Sequence, residues 1–310
     1  MSSGQGHETA YAQISAELLG VQPSQVKVIQ GDTDLVAQGK GTGGSWSIPV
    51  GGAAMSKAAD AIIDKGKEIA SHLLEASSAD IEFSGGYFTV AGTDHAMDWS
   101  SVAASAYDPT LLPEGMTPGL EGTGEFVPSN HTFPNGCHLC EVELDPKTGS
   151  LDIVRYLVVH DFGVVLNPLL LEGQVHGGVA QGLGQAVFER TYYDNAGQFH
   201  TSSFLDYNIP RADEIPSIEF ISNPTPCPAN PLGFKGCGEA GEGFAVVTDT
   251  ETAVVMTGRN IGPAPEIGRA HSELQSQADL VCRLLLEKKT CALRSEEHTS
   301  ELQSQADLVC

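Results

Sequence analysis

The sequence predicts an α+β fold, and three observations carry that reading. Apolar residues recur at helical spacing over residues 6–21, and an Ala-rich stretch at 51–76 reads the same way. Runs at 81–92 and 140–161 alternate in polarity and contain tight-turn residues, so each reads as a hairpin. Helical and strand segments follow one another without a regular strand–helix alternation, which argues against a doubly wound parallel sheet.

Taken in chain order, "GHETAYAQISAELLGV" (6–21) brings Ala10, Ile14, Leu18 and Leu19 to one face and closes on Gly20, with the Gly4-Gln5-Gly6 turn at its start. "QVKVIQGD" (25–32) alternates as a strand would, and "GKGTGGSWSIPVGG" (39–52) is too glycine-rich to be regular. After the long helix and the first hairpin, "DWSSVAASAY" (98–107) reads as a short helix capped by Asp98. Five prolines between 108 and 135 mark a loop-rich crossing between two lobes. The second hairpin turns at Asp145–Gly149.

Asn167 and Pro168 then supply an N-cap and a first-turn proline for a helix over 169–189. That helix contains Gly173, Gly177, Gly178, Gly182 and Gly184, each costing up to about 1 kcal/mol relative to alanine. So much glycine predicts something packed close against its backbone. Strands are expected near 190–194, 199–204 and 217–222, and a weak helix over 242–257. The expected division is a first lobe at 1–107 and a second at 108–266.

Residues 267–310 are set apart. "SELQSQADLVC" stands at 272–282 and again, unchanged, at 300–310. Structural repeats diverge at surface positions and need about three units to share a core, so two identical copies do not behave as one. "IGRAH" (267–271) and "RSEEH" (294–298) can also be written from one nucleotide string, AGATCGGAAGAGCACAC, read in two frames, and that string resembles a sequencing adapter. We read this tail as non-native.

The tail carries five basic and seven acidic residues, which leaves 11 basic and 33 acidic in the body, a net charge of −22. Such a surface repels phosphate backbones and argues against nucleic-acid binding. No apolar run approaches a membrane span, and the start lacks the basic and apolar regions of a signal peptide. The chain reads as soluble and cytoplasmic.

Each motif has a plain structural reading beside its chemical one. "CHLC" (137–140) has the spacing of a zinc or redox pair but lacks a second pair. It also opens a strand, where residues three apart face opposite sides, so two half-buried thiols are favoured. "GKGTGG" (39–44) contains G-x-G-x-x-G without the strand immediately before it or the acid some 20 residues on. His160, Asp161 and His176 are possible acid–base groups, although packing histidines are commoner at such places. The glycine-rich stretches at 4–6, 41–47, 173–184 and 236–241 offer bare backbone N–H groups suited to anions. One reading of the chain is therefore a non-catalytic acidic module that binds a phosphorylated ligand. Glu239, alone among the glycines of "GFKGCGEAG" (233–241), reads equally from its neighbours as surface decoration or as a base.

Five segments, "GQGHET" (4–9), "TGGSWS" (42–47), "NGCHLCEVELDPKTG" (135–149), "LNPLLLEGQVHGGVAQGLGQA" (166–186) and "KGCGEAG" (235–241), occur in an order that resembles the C-terminal half of the molybdenum-binding large subunit of the xanthine dehydrogenase, aldehyde oxidase and aerobic carbon monoxide dehydrogenase family. The resemblance implies a truncated molybdenum-cofactor-binding domain of a molybdenum hydroxylase. The metal is then held by a molybdopterin, in its cytosine dinucleotide form, with no direct protein ligand.

By the same resemblance Gln5 and Gly6, the loop residues Gly43, Gly44, Ser45 and Ser47, and Gln174 contact the cofactor, and Glu239 is the catalytic base beside the metal. The implied reaction is hydroxylation, with water as oxygen source, of an aldehyde, an N-heterocycle or a similar small substrate. The implied partners are an iron–sulfur small subunit and an FAD-binding medium subunit. The family's N-terminal half has no counterpart here, and "EGFAVVTDTETAVVMTGRN" after Gly241 departs from the family pattern. The expectation is that this segment alone binds cofactor poorly and is inactive.

Overall fold

The structure, a computed structural model, describes residues 1–239 apart from 37, 38, 40 and 146, together with the backbone of 254–256. The expected weak helix at 242–257 lies mostly outside these residues, and 254–256 form a strand. The segment 267–310 lies wholly outside them.

The described chain forms two units. The first comprises Met1–Pro134, Phe162–Leu171 and Pro224–Cys237. Its helix α1 (His7–Leu19) buries Ala10, Ile14 and Ala16 and ends on Gly20 in the left-handed region at φ 65°. A Cβ at Gly20 would collide with the backbone of Gly85 and Gly86, so the helix end and the tip of the first hairpin meet backbone to backbone. Helix α2 (Ser47–Leu73) is the longest element.

Strands β1 (Ile81–Ser84), β2 (Tyr87–Val90) and β3 (Ala96–Asp98) form an antiparallel sheet in that order. Helix α3 (Trp99–Ser105) starts on Asp98, whose carboxylate accepts the Ser101 N–H at 3.0 Å. Ile69 and Ala70 of α2 pack with Ile81, Phe88, Val102, Ala106 and Leu112 into one cluster. Phe88 lies so close to α2 that a Cβ at Gly66 would come within 2.6 Å of its ring. Fully burying a side chain of this size contributes about 2–3 kcal/mol.

The proline-rich crossing runs along α2. Glycines 122 and 124 let its backbone lie against Ala54 and Ala58, and Lys57 and Lys65 donate to the carbonyls of Glu125 and Thr117, each at 2.9 Å.

The second unit comprises Asn135–Asp161, Glu172–Asn223 and the chain from Gly238. Strands β4 (Asn135–Leu144) and β5 (Leu151–Asp161) form the expected hairpin, with β4 starting five residues earlier than read from the sequence. Strand β6 (Ile218–Ser222) joins β5 in parallel and β7 (Val254–Met256) joins β4, giving the order β6-β5-β4-β7.

Helix α4 (Pro168–Leu183) begins on Asn167, whose side chain accepts the Leu170 N–H at 3.0 Å, and passes into a π-helical turn at Gly184–Phe188. No helix among the described residues is long and apolar enough to cross a membrane.

Three expectations need correction. Residues 26–30 alternate in burial, but no described strand pairs with them, so they run irregularly after a 3₁₀ turn at Pro23–Gln25. The strands expected at 190–194 and 199–204 reduce to one bridge, Tyr193 to Phe199, around a turn organised by Asp194. The glycines of α4 are not all crowded. Among the described residues, nothing lies within 4 Å of a Cβ built at Gly173 or Gly177, whereas one at Gly184 would meet Glu189 and Pro210.

Candidate functional site

The first unit gathers most of the residues singled out in the sequence. Gly4 and Gly6, at φ 111° and 74°, turn the chain into α1, and a Cβ at Gly6 would strike Leu170. Between them the Gln5 carboxamide oxygen accepts the Ser3 N–H. The loop before α2 bends through Gly41, Gly44 and Ser45 at φ 74°, 57° and 53°. A non-glycine residue held in the left-handed region costs about 1–2 kcal/mol, so Ser45 marks a place where the surroundings dictate the backbone.

Hydrogen bonds tie these two turns together. Thr42 Oγ1 donates to the Met1 carbonyl at 2.8 Å, Ser47 Oγ donates to Thr42 Oγ1 at 3.2 Å, and the Tyr11 hydroxyl donates to the Ser47 carbonyl at 2.9 Å. Burial raises the Tyr11 pKa, against the pull of its bond to Ser47, so it stays a donor. His7 beneath the turn is held below its ordinary value by burial and then by the N-terminal charge, with a bond to Gln30 opposing.

A third turn arrives from far along the chain. Asn230 clamps it from both ends: its Nδ2 donates to the Phe234 carbonyl at 2.7 Å and its Oδ1 accepts the Phe234 N–H at 3.1 Å. Gly163 and Gly233, at φ 68° and 71°, allow the segment 162–164 to pair with it, through Val164 N–H to Gly233 O at 2.9 Å and Lys235 N–H to Phe162 O at 3.0 Å. The turn delivers Gly236 against the glycine loop, where a Cβ would lie 2.5 Å from Ser45 Cβ and 2.6 Å from its carbonyl oxygen. The Gly236 N–H donates to Thr132 Oγ1 at 3.2 Å.

Gln5, Gly6, Gly43, Gly44, Ser45, Ser47 and Gly236 therefore share one unit. Gln174 and Glu239 belong to the second: Gln174 is half-buried beside the open Gly173 and Gly177 on α4, and Glu239 is half-buried three residues beyond Gly236 along the chain. Between the last two stands Cys237, whose thiol is pushed up to about 11 by burial and so is protonated at neutral pH, no nucleophile.

Other candidates take structural places. Cys137 is exposed and Cys140 buried, on opposite sides of β4, so they cannot clasp one ion. His160 and Asp161 are buried in the second unit, and His176 lies 3.8 Å from Glu172, four residues earlier on α4. Sequence reasoning missed Asn230, Thr132 and the aromatic residues Trp46, His131 and Phe133. Only Trp46 left a signal, as the one large side chain in its glycine loop.

The sequence and the fold have known counterparts. The family described as molybdopterin cofactor-binding domain matches residues 1–216. The chain is 40% identical over 242 residues to the nicotine 6-hydroxylase large subunit of Paenarthrobacter nicotinovorans, covering 77% of this chain and 30% of that one. It is 37% identical over 255 residues to the carbon monoxide dehydrogenase large chain of Hydrogenophaga pseudoflava, covering 82% and 32%. The solved structure of quinoline 2-oxidoreductase from Pseudomonas putida 86 superposes with a TM-score of 0.72 at 38% identity, over 78% of this chain and 31% of that one. The chain thus spans roughly a third of the length of the relatives it matches. The chain belongs to the molybdopterin cofactor-binding domains of the large subunits in the xanthine dehydrogenase family.

Proposed function

We propose that this chain is the part of a molybdenum hydroxylase large subunit that holds the pterin cofactor and carries the catalytic base Glu239. The observation that supports it most directly is the seating of Gly236 on Ser45, which fixes the start of the Glu239 segment against the glycine loop.

The residues present fit such a group. Nothing lies within 4 Å of a Cβ built at Gly4, Gly41 or Gly43, so bare backbone faces open space at these positions among the described residues. A ligand rich in acceptors matches N–H groups presented in this way. The bound cofactor would supply a Lewis-acidic, two-electron redox centre. Gln5, Gly6, Gly43, Gly44, Ser45, Ser47 and Gln174 orient it through carboxamides, hydroxyls and backbone N–H groups. The Glu239 carboxylate accepts a proton from the water-derived nucleophile at one of its oxygens, as a general base does. Cys237 stays protonated and takes no part.

The substrate is an aldehyde, an N-heterocycle or a similar small molecule, and the cofactor carries the cytosine dinucleotide. An iron–sulfur subunit and an FAD subunit pass the electrons on, and the assembly works in the cytoplasm. The large subunit named in Paenarthrobacter nicotinovorans supports a multi-subunit enzyme.

The test is Glu239→Gln in the assembled enzyme that contains this segment. Turnover should fall by about 10²–10⁴-fold, the range for losing a general base, while molybdenum content by mass spectrometry stays unchanged. Loss of the metal with the substitution would show that Glu239 is structural and would overturn the assignment.

A further inference from the structure

One hydrogen bond of the first unit joins two stretches of chain 104 residues apart. Gly236 is buried, and its N–H donates to Thr132 Oγ1 at 3.2 Å. A buried main-chain donor needs a partner, and the partner here is a side chain that can be changed without touching the backbone. Only Cys237 and Gly238 separate the bonded N–H from Glu239, so little slack lies between that anchor and the carboxylate.

Both sides of the bond are held. On one side, the Asn230 clamp and the pairing with 162–164 fix the chain as far as Lys235. On the other, the segment before Thr132 is tied to α2, where Lys57 donates to the Glu125 carbonyl and lies 5.6 Å from the centre of the Phe126 ring. The His131 ring then stands edge to face with Trp46 at 6.1 Å and with Phe133 at 5.8 Å.

The backbone is strained around the same bond. Among the described residues, three non-glycine residues have positive φ: Ser45, Glu75 and Phe133. Two of them bracket the contact. Ser45 packs against Gly236, and Phe133, at φ 47°, directly follows Thr132. Phe133 is 60% exposed, so burial of its own ring does not offset the strain of that backbone. Strain of this kind persists where the surroundings over-determine it, and it clusters at functional sites. What the bend fixes here is the direction in which Thr132 presents its hydroxyl.

We propose that Thr132 is a positioning residue for Glu239: its hydroxyl oxygen fixes the Gly236 N–H and so the start of the segment that carries the base. The inference rests on the assignment of Glu239 as general base. Thr132 acts through the chain and not on the reacting atoms. A misplacement of about 1 Å in a reacting group can cost about 10²-fold in rate, so loss of one anchor this near the base is visible in turnover.

The test is Thr132→Val in the assembled enzyme that contains this segment, because valine keeps the shape and removes the acceptor. The kcat should fall by about 10- to 100-fold, with KM and molybdenum content unchanged. Thr132→Ser, which restores the hydroxyl, should keep most of the turnover. Amide exchange at Gly236 should accelerate by about fivefold, the equivalent of one hydrogen bond, in Thr132→Val but not in Thr132→Ser. In a Glu239→Gln background, Thr132→Val should lower turnover no further, since both changes act through one group. Parental kcat in Thr132→Val, equal losses in the valine and serine variants, or additive losses in the double variant would overturn the role. Metal loss in both Thr132→Val and Thr132→Ala would show a structural part only and would overturn it as well. The two assignments fail differently. If Glu239→Gln keeps its turnover or loses its metal, the base is misassigned and the positioning role falls with it. If Glu239→Gln is inactive with metal in place while Thr132→Val turns over normally, only the positioning role falls.

Discussion

A single buried amide governs the third turn of the site. Asn230 is 7% exposed and satisfies both polar groups of Phe234 with its own carboxamide. A hydrogen bond of this kind contributes about 1 kcal/mol, and a buried group left unpaired costs about 1–3 kcal/mol. Asn230→Ala should therefore destabilise the chain by about 2–4 kcal/mol and loosen the Phe234–Gly236 turn. Amide exchange should accelerate at Phe234 and Gly236 well before global unfolding; unchanged protection there would mean that the turn is held elsewhere. The sequence showed the glycines of this turn but not its clamp, because an asparagine among prolines reads as ordinary loop chemistry until its partners are placed.

At the scale of an element, the hairpin β4–β5 carries a buried pair of imidazoles. Gly136 stands opposite His160, and its missing side chain leaves room for that ring against the backbone. His138, 1% exposed, has its Nδ1 3.2 Å from the Tyr156 hydroxyl and its ring 6.1 Å from His160. Burial first, and then the charge of His160, lowers His138 to about 4 from 6.5. The folded state therefore binds fewer protons than the unfolded chain between those values. The stability this contributes is complete above pH 6.5 and is lost progressively as pH falls towards 4, about 3 kcal/mol in all. Urea unfolding at pH 7.5 and 4.5 should show a smaller loss for His138→Gln than for the parent chain. Parallel losses would exclude His138 as the source. Period-two alternation made β4 and β5 legible in the sequence. That His138 joins His160 in the core was not legible, because the choice of face depends on what covers the sheet.

For the molecule as a whole, charge is the property that composition determines and folding cannot remove. The chain carries a net charge of −24, and two of its 16 basic residues, Lys57 and Lys65, donate to main-chain carbonyls of the crossing segment. Self-repulsion of this size destabilises a compact state and is screened as the Debye length shrinks from about 30 Å at 0.01 M to about 8 Å at 0.15 M salt. The thermal midpoint should rise over that range; a constant or falling midpoint would mean that the acidic surface is already balanced locally.

The sequence by itself determined the α+β class, the long helices, both hairpins, the caps at Asp98 and Asn167 and the family, because each rests on residues within a few turns of one another or on motifs in a fixed order. Only the tertiary structure decided that 25–32 is no strand, that Gly236 rests on Ser45 and that Trp46 aligns with His131 and Phe133. Those outcomes depend on which distant backbones approach within a side chain's width, and neither periodicity nor composition carries that distance.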